Sequence, residues 1–186
     1  MALLALFVSA YTVYVQRQQL KVQAWPRLEL AVDHEAGESP GDAIATLKLV
    51  NRGVAPGEVK WVHTSREGKT FNDWIALVDA IHDAHKEAPP VKVYRGRNPV
   101  GAVVGVGQDF PLLAVNAAAL NMIDWDDKMG LAICYCSLLE DCWTFEIANG
   151  KTRTSASESC PHEENGFVGI PSSASPFAPR ADAGAR

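Results

Sequence analysis

The sequence predicts a mainly β domain, an antiparallel β-sandwich with one inserted helix, preceded by an N-terminal membrane helix. Three observations carry this. Short apolar, strand-like segments recur at close intervals, separated by turns rich in Gly and Pro. One segment after Asn72 switches to helical spacing. The stretch from Met1 to Val15 contains no charged side chain.

That first stretch ends at Gln16-Arg17 and, at 1.5 Å per residue, spans roughly 22–24 Å, short of the ~30 Å hydrocarbon core. A signal-anchor helix is the first reading, completed by a thinned bilayer, by the polar residues that follow or by an upstream start. A cleaved signal peptide competes, with small residues at Val8-Ser9-Ala10 but no basic residues ahead of them. A buried or interfacial helix is the third. Helix formers continue from Gln16 to Ala24, and Trp25-Pro26 stops them, because a residue before proline avoids the α region. Arg17, Lys21 and Arg27 follow the apolar run, so the positive-inside rule leans towards a cytoplasmic domain on a single-pass membrane protein.

The elements follow in order. Arg27–Asp33 alternates and reads as a strand, His34–Gly41 as a loop, and Ile44–Asn51 as a second strand. Asn51–Gly57 is dense in breakers and reads as a turn. Glu58–Thr64 is a third strand with Val59, Trp61 and His63 on one face, closed by a turn at Glu67-Gly68. Asn72 can cap the helix, and Asp73 suits its positive end. Trp74, Leu77, Val78, Ile81 and His85 form one stripe, and Ala88-Pro89-Pro90 ends it. Val91–Tyr94, Val100–Val106 and Pro111–Val115 are short strands, Asn116–Ile123 one or two helical turns, and Asp124–Asp127 a loop. Ile133–Ile147 reads as a β-hairpin. From Lys151 the composition turns to Ser, Ala, Gly, Pro and Thr, as in a disordered tail. The expected division is 1–24 anchor and juxtamembrane helix, 25–150 sandwich, and 151–186 tail.

Nearly half of the residues are hydrophobic, enough for a sizeable core, and the formal net charge is −5. No basic run interleaved with aromatics occurs, which argues against a nucleic-acid partner.

The hairpin carries three of the four cysteines. Cys134 and Cys136, two apart on a strand, share a face and stand badly placed to bridge each other. With Ser137–Asp141 as the loop, Cys136 and Cys142 face each other as a candidate disulfide. With only Leu138–Asp141 as the loop, Cys142 moves to the opposite face. The plain expectation is small buried hydrophobes on core strands. Cys-x-Cys is a weak metal signal, so Cys134, Cys136 and Cys142, with His162 of Cys160-Pro-His162, are minor metal candidates. Cys160 itself reads as an exposed single cysteine.

Other groupings are bland. His82 and His85 with Asp79 and Asp83 fit the polar face of an amphipathic helix and lack the His-Glu-x-x-His pattern. Gly101–Gly107 lacks phosphate-loop spacing and reads as a strand edge or bulge. Asp124, Asp126 and Asp127 are too few for a calcium loop. Tyr135, Trp143 and Phe145 read as sandwich core, or as a binding surface if exposed. No catalytic residue and no cofactor is assigned.

Taken together, the uncharged helix ending at Trp25-Pro26, Asn51-x-Gly53-x-Ala55-Pro56, and Tyr135-Cys136-Ser137 followed by Cys142-Trp143 resemble a group of bacterial single-pass membrane proteins with an Ig-like β-sandwich. The resemblance covers roughly Leu6 to Ile147 and implies an anchor and a fold but transfers no activity. The functional expectation is a non-enzymatic interaction module at the bacterial envelope, held in the lipid bilayer of the inner membrane by residues 1–15 as a single-pass protein and binding a protein partner. The alternative is a cysteine-based metal-binding or redox module using Cys134, Cys136 and Cys142.

Overall fold

The structure is a computed structural model. It describes residues 2–37, 43–84, 91–117, 128–161 and 166–169. Helix α1 (Ala2–Gln23) comes first. Strands β1 (Leu28–Glu35), β2 (Ile44–Asn51), β3 (Gly57–Arg66) and β4 (Lys69–Phe71) follow, then helix α2 (Trp74–Ala84). After it come β5 (Val93–Gly96), β6 (Val103–Val104), β7 (Asp109–Asn116), β8 (Met129–Ser137), β9 (Cys142–Ala148) and β10 (Lys151–Ser157).

The strands form two antiparallel sheets, ordered β1-β2-β7-β5 and β10-β9-β8-β3-β4, with β6 pairing on β3. Leu28, Leu47, Leu49, Leu113 and Val115 of the first sheet and Val59, Val62, Leu131, Ile133, Tyr135 and Phe145 of the second belong to one buried cluster. The arrangement is sandwich-like. Lys48 ties β1, β2 and β7 together, donating to Asp33 and, at 2.8 Å, to Asp109. Those bonds, Asp109 first, raise its pKa.

Local chemistry explains the turns. Glu67 and Gly68 both have positive φ (51° and 79°) and join Arg66 to Lys69 in a two-residue hairpin. Asn149 and Gly150 (53° and 65°) do the same between Ala148 and Lys151. Asn-Gly is a strong short-range hairpin signal, and it converts residues expected to be a disordered tail into strand β10. Further on, Phe167 is buried edge-on against Trp74 (4.7 Å), and the Trp74 amide donates to Gly169 O (3.0 Å). The tail expectation is therefore corrected for 151–161 and 166–169, while 170–186 lie outside the described residues.

Two further expectations change. Residue Asp73, not Asn72, caps α2, accepting from the Ala76 amide at 2.7 Å. The α2 stripe Trp74, Leu77, Val78 and Ile81 is buried. On β3, pairing with β8 shifts between Val59 and Trp61. The extra residue, Lys60, makes a β-bulge, so Val59 and Val62 both reach the core. Trp61 and His63 are turned to the other face, where their rings stack 5.5 Å apart. A strict two-residue period had put Val59, Trp61 and His63 together.

Helix α1 forms, and Leu4, Leu6, Phe7, Val8, Tyr11, Val13 and Tyr14 are exposed on it. No helix among the described residues is long and apolar enough to cross a membrane. The exit from α1 is fastened to the domain by Asn51, which is fully buried. Its Oδ1 accepts from the amides of Gly53 (2.9 Å) and Arg27 (3.3 Å), and its Nδ2 donates to Ala55 O and Val104 O, both at 2.8 Å. The Arg52 and Val54 amides donate to Arg27 O and Trp25 O. At Gly53 an added Cβ would lie 2.4 Å from Arg27 N, so only glycine allows this approach. The Asn-x-Gly-x-Ala-Pro motif is a clamp on Trp25-Pro26.

Candidate functional site

Strands β1 and β10 are the edge strands at one side of the two sheets, and a groove of about 950 Å³ is lined by both. Register explains why it is open. On β9, Trp143, Phe145 and Ile147 point to the inter-sheet side, and their β10 partners are Ala156, Thr154 and Thr152. These side chains are too small to fill the space opposite Leu30 and Val32 of β1. Core residues Leu47, Phe145 and Ile147 therefore form its floor, Trp25 and Trp143 stand 6.4 Å apart at one end, and Arg27, Glu29 and Arg153 lie on the rim. Glu29 is paired with Arg27 at 2.8 Å. A second hollow of about 480 Å³ shares Trp25, Trp143 and Ala156 and adds Glu140, Asp141, Cys142 and Glu158.

Tyr135 and Phe145 are buried in the core, whereas Trp143 is half-buried at the groove. The Tyr135 hydroxyl lies beside the Leu28 backbone and has no partner in good hydrogen-bond geometry among the described residues. Burial is the main cause that raises its pKa.

The cysteines lie on the opposite face of the second sheet. Cys134, Cys136 and Cys142 are buried on β8 and β9, in line with the expectation of small buried residues on core strands, but they face away from Ile133 and Tyr135 and are joined in disulfides rather than free. Cys136 and Cys142 are directly opposed in the β8–β9 ladder, with Ser137–Asp141 as the loop, and are joined as a disulfide. A second disulfide joins Cys134 to Cys160, 26 residues on. Cys160, expected to be single and exposed, is thus paired and half-buried because the chain leaving β10 reaches back across β9 to β8. The Sγ atoms of Cys136, Cys142 and Cys160 lie within 4.8 Å of one another, and Cys136 Sγ touches Cys160 Sγ at 3.6 Å. As disulfides they offer no thiolate, which metal ligation needs.

His162, His85, Asp124, Asp126 and Asp127 lie outside the described residues. Asp79 and Asp83 are exposed, and His82 is half-buried with its Nδ1 unpaired among the described residues. Within Gly101–Gly107, only Val103–Val104 forms strand, flanked by positive-φ Gly101 and Gly107. The groove residues Thr152, Arg153, Thr154 and Ala156 went unread in the sequence, although Asn149-Gly150 was there to announce their strand. No protein-family model, curated protein or solved structure matches the chain.

Proposed function

We propose that this chain is a membrane-attached interaction protein whose Ig-like β-sandwich holds a protein partner in the groove between β1 and β10, on the oxidising side of a bacterial envelope. The groove carries the reading. Its aromatic and aliphatic floor with a charged rim is the usual anatomy of a protein-binding surface. The strand orders β1-β2-β7-β5 and β9-β8-β3-β4 follow the A-B-E-D and G-F-C-C′ orders of immunoglobulin-type sandwiches, with β10 added outside β9.

Attachment is supported by α1. Its exposed apolar side chains surround the helix between Leu4 and Tyr14, and such a helix needs lipid or protein around it. Export is supported by the two disulfides, because cytosolic thiols are kept reduced. This outweighs the three positive charges after the apolar run, since the positive-inside bias compares both flanks of a helix and only one is available to weigh.

The test is site-specific photocrosslinking in cells producing the full chain. A crosslinking residue at Thr154 is expected to give a protein adduct that Trp143→Ala abolishes, while the same group at exposed Lys60 gives none. Equal adducts at both positions, or none at Thr154, rule the groove out as the docking site.

A second reading is a cysteine-based redox or metal-binding module, expected from the sequence to use Cys134, Cys136 and Cys142; the sulfurs that lie together are those of Cys136, Cys142 and Cys160. Metal analysis of the reduced chain tests its metal arm, and reduced protein that retains no metal excludes it.

A further inference from the structure

The two disulfides are in contact. Cys136 Sγ and Cys160 Sγ belong to different bridges yet lie 3.6 Å apart, the separation of touching sulfur atoms. Cys134 is completely buried and its partner Cys160 is half-buried, while Cys142, itself buried, borders the open hollow with Trp25, Trp143 and Glu158.

We infer that the four cysteines form a thiol–disulfide exchange relay, in which an external dithiol enters at Cys142, beside the hollow, and opens the Cys134–Cys160 bridge through Cys136, whose sulfur already touches Cys160 Sγ. The inference stands on the sulfur geometry and is independent of what the groove binds.

The steps balance. A thiolate of the dithiol attacks Cys142 Sγ, forming a mixed disulfide and expelling Cys136 as thiolate. The second thiol of the reductant attacks its own sulfur in that mixed disulfide and leaves as the cyclic or paired disulfide. Cys142 departs as thiolate and takes up a proton. Two electrons have passed from the dithiol to the protein. The Cys136 thiolate then attacks Cys160 Sγ, forming Cys136–Cys160 and releasing Cys134, which is protonated in its buried position. That last step is an isomerisation with no net redox change, and it needs no diffusion because nucleophile and target already touch. It transfers the covalent tether of the segment after β10 from Cys134 to Cys136. Glu140, Asp141 and Glu158 around the entry favour a neutral or cationic dithiol over an anionic thiol.

The experiment uses the oxidised full-length chain in detergent with about one equivalent of dithiothreitol, quenched with N-ethylmaleimide and mapped by mass spectrometry. The expected two-thiol species carries the label on Cys134 and Cys142 and a Cys136–Cys160 link. Two-thiol species that all keep the Cys134–Cys160 link overturn the relay. A kinetic arm compares reduction of Cys134–Cys160 by excess dithiothreitol in the wild type and in the Cys136→Ser/Cys142→Ser variant. A melting curve first establishes that the variant is folded. At least tenfold slower reduction in the folded variant is expected, and an unchanged rate overturns the relay. If the variant does not fold, the wild-type mapping alone decides.

Discussion

Replacing Asn51 with alanine tests how the domain grips the segment leaving α1. The side chain is fully buried and makes four hydrogen bonds, two accepted from the amides of Gly53 and Arg27 and two donated to Ala55 O and Val104 O. Each buried group left unpaired costs about 1–3 kcal/mol. The bond to Val104 O is itself buried, and the others are part-buried and open to compensation by water. The loss for Asn51→Ala is therefore about 3–5 kcal/mol, out of a total of about 5–15 kcal/mol for a domain. At about 2–4 °C per kcal/mol for a chain of this size, the melting temperature falls by about 6–20 °C. The assay is urea unfolding followed by tryptophan fluorescence. Asn51→Asp keeps the volume and both accepted bonds but loses the donated ones, so it costs a comparable amount. Neighbouring Arg52→Ala, which removes one exposed ion pair with Glu29, costs less than about 1 kcal/mol. A loss below about 1 kcal/mol for Asn51→Ala, or a near-neutral Asn51→Asp, refutes the clamp.

Other outcomes follow from the same geometry. Removing the Cys134–Cys160 bridge by a double serine substitution closes one loop fewer in the unfolded chain and costs about 3–4 kcal/mol by loop-closure entropy, read by urea unfolding. Tyr135 has a pKa raised by burial, so its contribution is fully present below the ordinary phenol value and is lost as pH rises through and above about 10. Tyr135→Phe should flatten that alkaline loss in a pH series of melting temperatures while costing less than about 1 kcal/mol at pH 7, its hydroxyl having no well-placed partner among the described residues. Deleting residues 2–15 should move the chain from the carbonate-washed membrane fraction to the supernatant, and retention in the membrane fraction would contradict attachment through α1.

The legible parts of the fold are those governed by local pattern. Alternation located β2 to the residue, and helical spacing found the Trp74–Ile81 stripe. The bulge at Lys60 was not legible, because one inserted residue leaves composition unchanged while reversing every side chain beyond it. Strand β10 was hidden for a different reason. Its inner face carries Thr152, Thr154 and Ala156 because it borders a groove, so it lacks the apolar alternation that marks a strand packed on a core. Of the candidate site, the opposition of Cys136 and Cys142 was one of two registers the hairpin allowed. The bond from Cys134 to Cys160 was invisible, since it depends on where the chain goes after an unrecognised strand. The groove, built from two edge strands far apart in sequence, required the sheet order itself.

The placement of the domain on an oxidising side is tested most directly by its thiols in living cells. Bacterial cells producing the full chain are treated with a membrane-permeant alkylating reagent before lysis, and the protein is then mapped by mass spectrometry without reduction. The expected result is no alkylated cysteine, with Cys134 linked to Cys160 and Cys136 to Cys142. Four alkylated cysteines would place the domain in the reducing cytoplasm and contradict both the disulfide framework and the proposed location.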